Sequence, residues 1–66
     1  MNTKAWEVAM QATYALEVEG DKVKARGLAQ KAFALLAEAR DAGKVAGDSV
    51  VAIGNYIRKI EIKAGA

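Results

Sequence analysis

The chain reads as an all-α protein, a small three-helix bundle completed by oligomerisation. Three observations predict this. Apolar residues recur at three- and four-residue spacing in three separate stretches, 5–16, 25–39 and 50–64. Glycine-bearing breaks at 20 and at 43–47 divide these stretches, and the chain contains no proline. Alanine, the strongest helix former, supplies fifteen of the 66 residues. Because alanine adds little apolar area, helices form readily while each isolated core stays thin.

The spacing predicts a first helix over about 4–19, with Thr3 or Asn2 as its N-cap. Ala5, Ala9, Ala12 and Leu16 form its core face, flanked by Trp6 and Thr13 on one side and Val8 on the other. Met10 and Tyr14 fall further round, where a monomer leaves them partly exposed. In "EGD" at 19–21, Gly20 supplies a left-handed stop and Asp21 caps the next helix.

The second helix is predicted over about 22–42. Ala25, Leu28, Ala32, Leu35 and Ala39 make a packing seam, which Ala29, Phe33 and Leu36 widen to nearly half the circumference. Within "KAFALLAEARDAG" (31–43), seven of thirteen residues are Ala or Leu, more than a small surface helix needs. Lys24, Lys31, Glu38 and Asp41 occupy the other side. Gly27 costs about 1 kcal/mol relative to alanine, which points to close approach of the first helix or of a partner's backbone.

"GKVAG" at 43–47 is a short loop in which Val45 plugs the end of the bundle. Asp48 or Ser49 then caps a third helix over about 50–63, whose core face is Val50, Ile53, Ile57, Ile60 and Ala64, with Tyr56 at its edge. "KIEIK" at 59–63 also alternates as a strand does, but a lone strand has only another subunit to pair with, so helix is the expectation. "GDKVKA" (20–25), with Gly20 and Ala25 at suitable spacing and Ala32 after them, resembles the turn of a tetratricopeptide repeat. The first helix departs from the Trp–Leu–Gly–Tyr signature of that family, and a single repeat has no stacking neighbour, so the resemblance implies no function.

Residues 1–66 amount to one helical domain at most, and a chain this short buries only about 60 % of the surface its unfolded form exposes. With no Cys and no His there is neither a disulfide nor a thiolate or imidazole metal site to reinforce it. Self-association is the remaining way to enlarge the core. Absence of cysteine suits a reducing, cytoplasmic setting. Glu7 and Gln11 interrupt "MNTKAWEVAMQATYAL", so no signal peptide is expected, and no apolar run is long enough to span a membrane.

The inventory of acids, bases and nucleophiles is eight carboxylates, one serine and two tyrosines. Glu17, Glu19 and Asp21 cluster at a solvated turn beside Lys22 and Lys24; Ser49 is explained by capping; "GKVAG" is not a phosphate-binding loop. No enzyme, cofactor or metal is expected. The charge is graded along the chain. Residues 1–20 carry one basic and three acidic side chains (−2), 21–43 five and three (+2), and 44–66 four and two (+2).

The expectation is a non-enzymatic protein-binding module of the adaptor, inhibitor or antagonist type, acting as a homo-oligomer. Its contact surface is the first helix: Trp6, Met10 and Tyr14 provide apolar area and Glu17, with Glu19, a charged rim. The alternative is a helix-turn-helix-like DNA-binding regulator. Its third helix presents Asn55 and Arg58, suited to adenine and guanine edges, and Lys59 and Lys63, suited to phosphates. A membrane-surface helix fits less well, since Asp48 and Glu61 share the polar side of the third helix.

Overall fold

The computed structural model describes residues 4–65. Three helices follow one another, α1 (Lys4–Glu17), α2 (Lys22–Asp41) and α3 (Gly47–Gly65), with no strand among the described residues. The all-α expectation therefore holds, and 59–63 lies within α3 rather than in an intersubunit strand. Asn2 and Thr3, the expected caps of α1, lie outside the described residues.

Each break has a local cause. Gly20 has φ 66°, and beyond it the Asp21 N–H donates back to the Ala15 carbonyl at 2.9 Å. Asp21 then caps α2, its carboxylate Oδ1 accepting from the Lys24 N–H at 3.0 Å. At the far end of α2, Gly43 has φ 69°; its N–H donates to Arg40 and the Lys44 N–H to Ala39, the paired bonds of a Schellman stop. The third helix starts earlier than expected. The Ala46 carbonyl already accepts from the Val50 N–H at 3.0 Å, so Asp48 and Ser49 sit inside the first turn rather than at the cap. The charge of Asp48 there still complements the positive end of the helix dipole.

The three helices run up, down and up in a bundle whose Cα trace measures 34 × 17 × 16 Å, close to the roughly 30 Å length of a twenty-residue helix. The end of α1, the start of α2 and the end of α3 share one cluster, which fixes this course, and both connections are short enough to suit it. Ala5, Val8, Ala9 and Ala12 of α1 meet Ala29, Ala32 and Leu36 of α2 and Ile53, Ile57 and Ile60 of α3 in one cluster. Ala15, Ala25 and Ala64 form a second, smaller cluster toward the C-terminal end of α1. Small alanines let α1 and α2 approach closely, while the isoleucines of α3 fill the space between them. Val45 is buried beneath the loop end, as expected of a plug.

Two expectations about α2 are corrected. The buried seam is Ala25, Ala29, Ala32 and Leu36, one step round the helix from the seam read in the sequence. Leu28 and Leu35 are only partly buried at its margin, whereas Leu36 is 3 % exposed. Gly27 is not a site of close approach by α1: a Cβ built there meets no atom of the chain within 4 Å.

Candidate functional site

The outer side of α1 carries what the inner side does not use. Alanines and Val8 account for all the fully buried positions of this helix, so its largest side chains are left outside the core. Met10 is 51 % exposed, Tyr14 57 % and Trp6 36 %. Val18, one four-residue step beyond Tyr14, is also exposed and extends the stripe past the helix end. Steps of four advance slightly round the helix, so Trp6, Met10, Tyr14 and Val18 form a shallow spiral of apolar surface. Exposed Glu7 and Glu17 border it, and exposed Gln11 and Lys4 complete the outer face.

The residues of the two competing sequence-based sites turn out to touch each other. Glu17 Oε1 lies 3.4 Å from Lys63 Nζ, joining the C-terminal ends of α1 and α3. Both side chains are more than half exposed, so the pair contributes little, at most a few tenths of a kcal/mol. Trp6 rests against Tyr56 of α3, which accounts for its being less exposed than Met10 and Tyr14. Met10 and Tyr14 are thus the centre of the stripe, and Trp6 and Glu17 its edges.

Asn55, Arg58 and Lys59 are exposed on α3. Leu36 of α2 approaches Gly54 near one end of α3, and Ala25 and Ala64 share a cluster near the other, so α2 and α3 lie antiparallel along their length. A helix-turn-helix instead crosses its two helices at roughly 90–120° so that the second stands free for the groove.

A second feature was not legible in the sequence. On the side of the bundle away from α1, Arg26 and Phe33 of α2 face Arg58, Glu61, Ile62 and Gly65 of α3 across an open cleft of about 360 Å³. Phe33 and Ile62 supply exposed apolar surface, and the two guanidinium groups flank it. A smaller hollow of about 90 Å³ between α1 and α3, near Thr13, Glu17, Tyr56 and Lys63, has no room for more than a few waters.

No protein-family model, curated protein or solved structure matches this chain. Among the described residues, no group of three or more acidic side chains is placed to hold a metal ion, and no helix is long and apolar enough to cross a membrane.

Proposed function

We propose that this is a non-enzymatic protein-binding module that works in the cytoplasm as a homo-oligomer and makes its contacts through the outer face of α1. The single observation that supports this is the exposed stripe Trp6–Met10–Tyr14–Val18 on a helix whose core face is complete without it. Two of the four are aromatic, and each aromatic can remove on the order of 100 Å² or more from water on docking. Apolar patches of that kind, bordered by charge, mark contact surfaces. Met and Tyr suit a contact centre, Tyr because it buries large area for few rotatable bonds and Met because it adapts its shape. Glu7 and Glu17 at the border set approach rate and selectivity more than affinity.

The test is site-specific photo-crosslinking. A photoreactive phenylalanine analogue at position 14 is expected to trap a protein chain, either a further copy or a second protein. The same group at exposed Glu38, on α2 and away from the lining of the α2–α3 cleft, is the control. Equal or absent crosslinking from both positions removes α1 as the contact surface.

A further inference from the structure

We propose that the cleft between α2 and α3 receives the outer face of α1 from a second copy of the chain, so that molecules associate head to tail. The inference rests on the reading of α1 as the contact surface and names what that surface meets.

Three observations converge on it. First, two of the three arginines in the sequence, Arg26 and Arg58, line this one cleft. Arg40 pairs with Asp41 at 3.3 Å, but Arg26 and Arg58 make no hydrogen bond or ion pair among the described residues. Glu61, which lines the same cleft, binds neither and leaves it net positive. Second, the complementary charge stands on α1. Glu7 is exposed and likewise without a partner among the described residues, and residues 1–20 sum to −2 while each following third of the chain sums to +2. Third, the apolar surfaces match in kind. Phe33 and Ile62 line the cleft with exposed apolar surface, and Met10 and Tyr14 project from the helix that would enter it. A helix laid into a groove between two others, with four-spaced anchors, is a common recognition geometry. Arginine and aromatic residues at its centre are those that dominate contact energies.

The geometry has a consequence for assembly. None of the residues lining the cleft comes from α1, which packs on the opposite side of the bundle. Donor face and acceptor cleft are thus different surfaces, so the contact is heterologous. It continues from copy to copy, as a ring or an open array, instead of closing as a two-fold dimer.

Sedimentation velocity on the full chain tests this from micromolar to millimolar concentration. Wild type is expected to grow in mass with concentration beyond twice 7.0 kDa. It should weaken as salt is raised, because the screening length falls from about 10 Å at 0.1 M to about 3 Å at 1 M. Two variants follow, Arg26→Glu/Arg58→Glu to spoil the cleft and Glu7→Lys/Tyr14→Ala to spoil the face. All four positions are exposed, and native dichroism checks that each variant is folded. Each alone should associate at least about tenfold more weakly, since like charges replace opposite ones. For the mixture the charge-neutral pair, Arg26→Gln/Arg58→Gln with Glu7→Gln/Tyr14→Ala, is used. It retains one intact face and one intact cleft and leaves the spoiled surfaces no opposite charges to attract each other, so the mixture should stop at a dimer. Should either fail to fold, Arg26→Gln/Arg58→Gln and Glu7→Gln/Tyr14→Ala replace them.

If the cleft variant assembles as wild type does, or salt strengthens association, the proposal is overturned. The α1 surface still stands in that case, provided the face variant is weakened or position 14 crosslinks another protein. A wild type that stays at 7.0 kDa overturns head-to-tail association, and if position 14 also traps nothing, the α1 reading falls with it.

Discussion

The indole of Trp6 lies against the ring of Tyr56, with centroids 5.1 Å apart and planes inclined at 39°. This contact, together with the hydrogen bond between the Tyr56 hydroxyl and Thr13 Oγ1, ties α3 to α1, the pair of helices that touch each other least. Thr13 Oγ1 donates to the Ala9 carbonyl at 3.2 Å, so it accepts from Tyr56. The result is a short chain of bonds from one helix into the backbone of the other.

Tyr56→Phe keeps the ring contact and removes the bond. It is expected to lower stability by about 0.5–1.5 kcal/mol in urea unfolding, with the native fluorescence of Trp6 unchanged. Tyr56→Ala should lower it further and move Trp6 emission to the red, because water replaces the ring. An unaltered urea midpoint for Tyr56→Phe would mean that water takes the place of the Tyr56 hydroxyl at Thr13 without cost.

Leu36 and Leu35 are neighbours in sequence with different fates. Leu36 is all but fully buried, and its Cδ2 reaches within 3.7 Å of where a side chain at Gly54 would begin. Leu36→Ala is expected to cost about 2–5 kcal/mol, since the alanine-lined surroundings have little to fill the void. Leu35→Ala, at the half-buried margin, should cost about 1–2 kcal/mol, the transfer term with little cavity. Thermal or urea unfolding of the two variants side by side decides it, and equal losses would place the seam elsewhere.

Gly27 and Gly43 should respond to alanine with opposite signs. Gly27 lies in the interior of α2 with open space around its Cα, so Gly27→Ala is expected to stabilise by about 0.5–1 kcal/mol. Gly43 holds a left-handed φ of 69° at the stop of α2, and Gly43→Ala is expected to destabilise by about 1–2 kcal/mol. Melting temperatures that move in the same direction for both would contradict this account of the breaks.

The outer face of α1 was legible because one helix carries it: the four-residue recurrence of Trp6, Met10 and Tyr14 is a local property of the chain, and only its extension to Val18, past the helix end, went unread. The cleft was not. Arg26 and Arg58 are 32 positions apart, and nothing local to either says that the other will stand across from it. Nor did periodicity single out Leu36 over Leu35, because adjacent residues lie about 100° apart and both bordered an apolar seam wide enough to hold them.

The sequence by itself determined the number of helices, the breaks between them and the buried faces of α1 and α3. Alanine content, glycine stops and the side-chain oxygen of Asp21 act within a few residues, where propensity and capping energies operate without help from the fold. Tertiary structure decided which side of α2 faces inward, how early α3 begins and which charges stay unpaired. Those depend on side chains brought together from different helices. Burial is shared among three surfaces at once, so Leu36 is enclosed only because α3 lies across it. By the same packing, Glu17 meets Lys63 while Arg26 and Arg58 line one cleft without an ion pair to the Glu61 they share it with.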